Sequence, residues 1–569
     1  MQKTNSLRPW LIAGLLLLIL PTHLAGIDKF ATIDEPWWVI SGSNYYYALT
    51  HRDFADTIYD YHPAVTTTWV VTGGMLTTFP EYRGFGQGYF DVRKPNFENF
   101  MREHGQPILG LLRNSRLIQA ALIIFLSLLS FFLLRKLVEP SSAFLAIVLA
   151  VDAPYFLGHS RLLNHEGMLA MFVLVSLLGM LVYLRERKLV YLLISGAAFG
   201  LAQLTKSSSI VAAGVVGLML FVSLLDKERS KPLKASALES LKMLGIWLAV
   251  AAAVYVILWP GMWVAPGKML YEVYGNAFSY AFQGARLEAL PNGATARVGL
   301  NLNASGVLAY LRQWLLRSTP ISWLGVLLAI PAMLNRAVRP ALKWLIGYLA
   351  ITAFLFILLF GIAQGRDSPH YILTSFICLD VIAGLGWGYG LSWSAERWDV
   401  LKPARGRAVA IAVLLLLQIA ATLPFYPYYY TYENPVVAAI RGSQPYGYGE
   451  GLELAAAYLA AKQDSEATRA FVYAGMGPFS FFYPGETEVF KKIYLTEPGL
   501  PSIVQGMRRS DYLVVYSAVQ DRLPESADFL HAIAAVEPEK EITIRGVVVA
   551  RIYEIADIPE SVYDEMEKR

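Results

Sequence analysis

Eleven apolar runs, most of them near the length of a bilayer crossing, dictate what this chain can become. They cover about residues 9 to 26, 109 to 134, 141 to 157, 167 to 184, 189 to 205, 207 to 225, 241 to 259, 320 to 335, 341 to 362, 370 to 392 and 408 to 425. A helix needs roughly 20 apolar residues to cross the hydrocarbon core. Lipid offers no partner for backbone polar groups, so runs of this kind fold as helices. With 55% hydrophobic and only 16% charged residues among 569, against about 25% charged in soluble domains, the chain reads as an all-α polytopic membrane protein with about 11 transmembrane helices. The net charge of +4 is small, and the basic residues sit in short clusters between runs, which marks topology rather than a nucleic-acid surface. A single cysteine, Cys378, excludes an intramolecular disulfide.

The run Ala64 to Pro80, AVTTTWVVTGGMLTTFP, is long enough to matter but rich in Thr and Gly. If it does not span, the clusters Lys3/Arg8, Arg135/Lys136, Arg185/Arg187/Lys188, Lys227/Arg229/Lys231/Lys234, Arg336/Arg339/Lys343 and Arg397/Lys402/Arg405/Arg407 all fall on one side, as the positive-inside rule requires. It is therefore read as interfacial or re-entrant. The expectation is a multi-pass protein of the cell membrane with a cytoplasmic N-terminus, outer loops 27–108 and 260–319, and an extracytoplasmic α/β domain over residues 426–569. A cleaved signal peptide over residues 1–26 is the alternative for the first run. In the tail, GLELAAAYLAAK has a helical pattern, RAFVYAG and DYLVVYSA read as strands, and EITIRGVVVARIYEI as a terminal hairpin. The tail carries no catalytic signature.

Polar groups concentrate at the outer mouths of the runs, where their cost near lipid asks for a reason. Asp34 and Glu35 follow the first run; Arg113 and Arg116 open the second; Asp152, His159, Arg161, Asn164, His165 and Glu166 fill the turn between the third and fourth. Lys206 lies between the fifth and sixth, and Arg366, Asp367, His370 and Tyr371 precede the tenth. An acid pair beside several cations at lipid level suits a hydroxyl that must lose a proton and a phosphate that must be neutralised. That combination fits glycosyl transfer from a polyprenyl-phosphate sugar to a protein, lipid or glycan acceptor. Trp37, Trp38 and Tyr45 to Tyr47 are expected to hold the first loop at the interface and to offer flat surfaces to a sugar.

The order Asp34-Glu35, His62-Pro63, RNSRLIQAALI, HSRLLNHEGML, GLAQLTKSSSIV and SPHYILTSF resembles the GT-C membrane glycosyltransferases of the protein O-mannosyltransferase and aminoarabinose-transferase type, over about residues 9 to 425. The resemblance implies a GT-C-like fold and an inverting transferase working on the outer face. It implies that Asp34 is the catalytic base and Glu35 its acceptor-positioning neighbour. It carries substrate-binding roles to His62, Arg161, Glu166, Lys206 and Tyr371; Arg116, His165 and His370, cations or potential cations at the same outer mouths, are read as substrate-binding with them. Three departures stand out: Ala64 replaces a second Pro, Glu166 replaces Asp, and His370 stands where Arg is common.

Plainer readings accompany each of these residues. Asp34-Glu35-Pro36 also suits a helix start. Arg113, Arg116 and Lys206 also suit snorkelling cations, and His62 and His165 suit structural hydrogen bonding. His62, His165 and Glu166 together have the chemistry for a divalent cation, but without ligand spacing no metal or other cofactor is assigned. Asn303-Ala304-Ser305 matches a glycosylation sequon, with chance the better explanation. A secondary transporter or flippase is the alternative function, for which Asp380 inside the tenth run is the one fitting feature.

Overall fold

The computed structural model describes residues 9–86, 88–91, 96–225, 233–284, 305–363, 368–443, 446–473, 477–490, 499–516 and 527–567. Lys3, Arg8, Lys227, Arg229, Lys231, Asn303, Ala304, Arg366 and Asp367 lie outside the described residues. Contacts group the chain into two compact units: Met1–Ala25, Tyr45–Val70 and Arg116–Ile440 in the first, Gly26–Asn44, Val71–Ser115 and Arg441–Arg569 in the second. The tail from Arg441 thus falls in the second unit together with Gly26–Asn44 and Val71–Ser115.

The first unit is helical. Among the described residues, seven helices are long and apolar enough to cross a membrane, and two bent pairs raise the number to nine. Two shorter apolar helices, Pro9–Leu24 and Leu189–Thr205, complete a helical counterpart for each of the eleven runs. This is a multi-pass membrane protein. The bent pairs have a local cause. Pro140–Val151 and Pro154–Ser160 meet at 66°, Ser305–Arg317 and Pro320–Leu334 at 116°, and in each case the residue before the proline is extended, Ala153 at ψ 125° and Thr319 at ψ 155°. Proline's ring disfavours the helical region for its predecessor, so the axis breaks there. Ala64 to Pro80 becomes the 14-residue helix Val65–Thr78, about 21 Å long at 1.5 Å per residue, too short for a crossing.

Close helix packing rests on small residues. A Cβ on Gly384 would lie 2.2 Å from the Ala146 Cα, and one on Gly386 would lie 1.9 Å from the Gly325 carbonyl oxygen. Hydrophobic burial gives little drive between helices in lipid, so such backbone approach supplies the packing.

In the second unit, five strands form one sheet in the order β2-β1-β3-β5-β4, with β1 Arg469–Tyr473, β2 Glu486–Phe490, β3 Tyr512–Tyr516, β4 Lys540–Ile544 and β5 Val547–Glu554. β1 pairs in parallel with β2 and β3, and β5 runs antiparallel to β3 and β4. The expected terminal hairpin is β4–β5, turning through Arg545 and Gly546 at φ 48° and 81°, the pair of positive values that a tight hairpin favours. β2 was not foreseen. Phe471, Met507, Leu513, Val514, Phe529 and Ile552 pack in the core of this sheet. In the loop segment, Phe100 gathers Phe85, Phe90 and His104 at ring separations of 5.5, 5.0 and 4.3 Å. Arg102 then donates to the carbonyl oxygens of Pro484 (2.6 Å) and Tyr483 (3.2 Å).

Candidate active site

In the first unit, the Leu189–Thr205 helix stops at Lys206, whose backbone is extended. The break frees backbone groups that pair with the loop around His62: Ser207 N–H donates to the His62 carbonyl at 2.9 Å and Ala64 N–H to the Thr205 carbonyl at 3.2 Å. Ala64 has φ 58°. Proline, locked near −65°, does not fit there, so the missing second proline is a requirement of this turn.

The side chains that this pairing aligns form a buried polar cluster. Lys206 Nζ bonds Glu166 Oε1, and the two residues are only 4% and 2% exposed. Glu166 is the first residue of the Glu166–Glu186 helix, its N–H held by Asn164 Oδ1 at 3.1 Å, where the positive helix end favours a carboxylate. His165 Nε2 lies 3.3 Å from the same Glu166 oxygen, and the His62 and His165 rings are 4.7 Å apart. On the other side the Lys206 ammonium sits 4.6 Å from the Tyr371 ring centre and 5.3 Å from that of Phe360. His370 adjoins Tyr371 at 4.6 Å and His159 at 5.4 Å. The fold thus brings together His62, His165, Glu166, Lys206, His370 and Tyr371, drawn from four separate stretches of sequence.

Arg161 and Arg116 have another setting. Arg161 is 1% exposed and donates to the carbonyl oxygens of Thr22 (3.1 Å) and Ala25 at the end of the Pro9–Leu24 helix, with its guanidinium 5.4 Å from the Tyr429 ring centre. Burial, with a smaller contribution from Arg116, lowers its pKa to about 10. Arg116 is fully buried, which removes snorkelling as its explanation, whereas Arg113 is exposed. Among the described residues no group of three His, Cys, Asp or Glu side chains is placed to hold a metal ion, and Glu166 already holds Lys206.

In the second unit, Asp34 and Glu35 part company. Glu35 is fully buried and turns back, its Oε2 accepting the N–H (2.7 Å) and hydroxyl (3.0 Å) of Thr32. These bonds tie the first residue of the Glu35–His51 helix to the turn that precedes it. The signal, Thr32-x-x-Glu35, was present in the sequence. Asp34 is half-buried and accepts a 2.6 Å hydrogen bond from the Tyr448 hydroxyl. Of the aromatics expected at the interface, Trp37 is half-buried, whereas Trp38 and Tyr45 to Tyr47 are buried in the protein.

Tyr448 is the residue that the sequence did not reveal. It lies in a tail loop wound around Glu450, whose carboxylate accepts the N–H groups of Tyr446, Gly447 and Tyr448 at 2.7 to 2.9 Å and the Tyr516 hydroxyl at 2.8 Å. Ile33 N–H donates to the Tyr448 carbonyl at 3.2 Å. Gly477, at φ 83°, leaves room for Pro36, whose Cγ would lie 2.2 Å from an added Cβ. Burial, then the Asp34 carboxylate, holds the Tyr448 phenol well above its ordinary pKa, so it stays a donor.

Residues 111–259 match the family model described as dolichyl-phosphate-mannose-protein mannosyltransferase. No curated protein sequence matches the chain. Several solved structures are similar to it, three of which follow. ArnT from Cupriavidus metallidurans bound to undecaprenyl phosphate has 15% identity and a TM-score of 0.46, over 96% of this chain and 98% of that one. The oligosaccharyltransferase AglB of Archaeoglobus fulgidus, in complex with an inhibitory peptide and a dolichol-phosphate, has 12% identity and a TM-score of 0.45, over 93% and 71%. The S. cerevisiae protein O-mannosyltransferase Pmt1-Pmt2 complex bound to the sugar donor has 17% identity and a TM-score of 0.34, over 52% and 38%. Residues 111–259, with Arg116, Arg161, His165, Glu166 and Lys206 among them, carry the pattern of the dolichyl-phosphate-mannose-protein mannosyltransferase family, the class of membrane glycosyltransferase to which the sequence resemblance pointed.

Proposed function

We propose that this protein transfers a sugar from a polyprenyl-phosphate carrier to an acceptor hydroxyl on the outer face of the membrane, with inversion at the sugar's anomeric carbon. The observation that carries this reading is that the buried Glu166–Lys206 pair, with His165 beside it, lies inside the segment with the mannosyltransferase pattern. Asp34 takes the acceptor proton as general base, the acceptor oxygen bonds to the anomeric carbon, and the carbon–oxygen bond to the carrier phosphate breaks. Lys206 and the neighbouring His165, His62 and His370 are the groups offered to the departing phosphate charge. Tyr448 keeps the Asp34 carboxylate oriented, and Glu35 supports the helix behind it. No metal enters this reading.

The test is transfer of radiolabelled sugar from a polyprenyl-phosphate donor by the protein in liposomes, compared with uptake of the same donor or a polar solute. Label recovered on an acceptor, lost on Asp34→Asn, supports the transferase. Uptake without transfer would move the reading to the transporter that buried Asp380 also allows.

A further inference from the structure

A cavity of about 600 Å³ lies at the end of the helical unit where the Glu166–Glu186 helix finishes. Twenty residues of rise separate that end from Glu166, about 30 Å at 1.5 Å per residue, so this cavity is a bilayer's thickness away from the Glu166–Lys206 pair. Arg135, Lys136, Arg185, Arg339, Arg405 and Arg407 line it, against the single carboxylate of Glu139.

Part of that charge is already used. Lys136 pairs with Glu186 at 2.9 Å, and Arg185 donates to the Leu137 carbonyl at 3.3 Å. Arg339, Arg405 and Arg407 have no salt bridge among the described residues, and the buried Arg135 Nε has no hydrogen-bond partner. Three helices also begin at this cavity, Pro140–Val151, Pro340–Ile362 and Ala404–Thr422, none with a side chain capping its first N–H groups. Each start adds unsatisfied donors and a partial positive charge. The positive-inside rule accounts for cations at this end, but it does not call for them to surround one hollow. The rest of the lining holds Ser141, Ser142 and Ser392 and an apolar stretch, where Leu145, Leu391 and Ile411 stand with Trp10, which is 61% exposed.

We infer that this cavity binds the phosphate head of an anionic membrane phospholipid, with Arg339, Arg405 and Arg407 as its ligands and the Trp10–Ile411 wall against an acyl chain. Basic pockets between membrane helices suit such headgroups, and arginine matches phosphate oxygens in pairs. The inference stands apart from the proposed transfer reaction.

The test uses the full chain in nanodiscs of phosphatidylcholine with or without phosphatidylglycerol, reading retained lipid by native mass spectrometry and the melting temperature. Wild type should retain phosphatidylglycerol in preference to phosphatidylcholine and melt higher in its presence. Arg339→Gln/Arg405→Gln/Arg407→Gln should lower that preference by about tenfold or more, the loss of at least one charge-assisted contact. If the triple variant misfolds, Arg407→Gln alone should show a smaller loss in the same direction. A control, Arg187→Gln/Arg397→Gln/Lys402→Gln, removes equal charge from the same end outside the cavity and should keep the preference. Equal loss in the control, no lipid preference in wild type, or the same melting shift from inorganic phosphate in phosphatidylcholine discs would each overturn the lipid site.

Discussion

Tyr448→Phe removes one atom from a nearly buried side chain and leaves its ring packing intact. The lost contact is the 2.6 Å hydrogen bond to Asp34. Hydrogen bonds to charged groups contribute about 1.5 to 3 kcal/mol, and each 1.4 kcal/mol is a factor of ten. If the bond holds the base in its reactive orientation, the rate constant for sugar transfer should fall roughly 10-fold to 150-fold. Water reaching half-buried Asp34 can replace part of the contact, so the lower end is the better expectation. Affinity for the polyprenyl-phosphate donor should hold, because the change touches Asp34 and not the Lys206 cluster. The assay is single-turnover transfer with saturating donor, with donor affinity measured separately and folding checked by circular dichroism and melting. A folded Tyr448→Phe protein that transfers sugar at the normal rate would refute the positioning role. A defect confined to donor affinity would refute it as well.

Three further outcomes follow from the same geometry. Glu98 is 4% exposed, and burial, opposed more weakly by Ser480, its own backbone and Arg102, raises its pKa from 4.5 to about 7. Below pH 4.5 both folded and unfolded states hold the proton; between 4.5 and 7 only the folded state does, so stability should fall by about 3 kcal/mol across that window and then level off. Glu98→Gln should flatten this part of a denaturation-versus-pH profile and melt higher than wild type at pH 8; an unchanged profile would show that Glu98 is not the titrating group. Lys206→Met strands a buried Glu166 and should destabilise by about 3 to 5 kcal/mol, while Lys206→Met/Glu166→Gln should recover much of that loss, a coupling that a double-mutant cycle reads directly; both variants should bind the donor more weakly, and unchanged donor affinity would remove Lys206 from the site. A cysteine at exposed Asn96, with Cys378 buried and silent, should react with an impermeant reagent from outside intact spheroplasts. Labelling only after permeabilisation would invert the topology.

The alternation of apolar runs and basic clusters was enough to specify a multi-pass helical protein, because lipid leaves a chain few ways to satisfy its backbone and the required length is countable in residues. One of the tail's helices, two of its strands and its hairpin were legible for a similar reason, since side-chain periodicity reports which face is buried. His62, His165, Glu166, Lys206, His370 and Tyr371 could be nominated from residue type and position. Their convergence could not, because it depends on the backbone pairing of His62–Ala64 with Thr205–Ser207 across more than a hundred residues. Local chemistry was present but unused at Glu35, where Thr32 three residues earlier already offered two donors to the carboxylate. For Tyr448 no local signal exists. Asp34 and its partner are 414 positions apart, and only a folded loop wound around Glu450 brings one phenol to one carboxylate. The sequence determined where charge must face lipid or water; the tertiary structure decided which charges meet, because hydrogen bonds act over about 3 Å and hydropathy carries no information at that range.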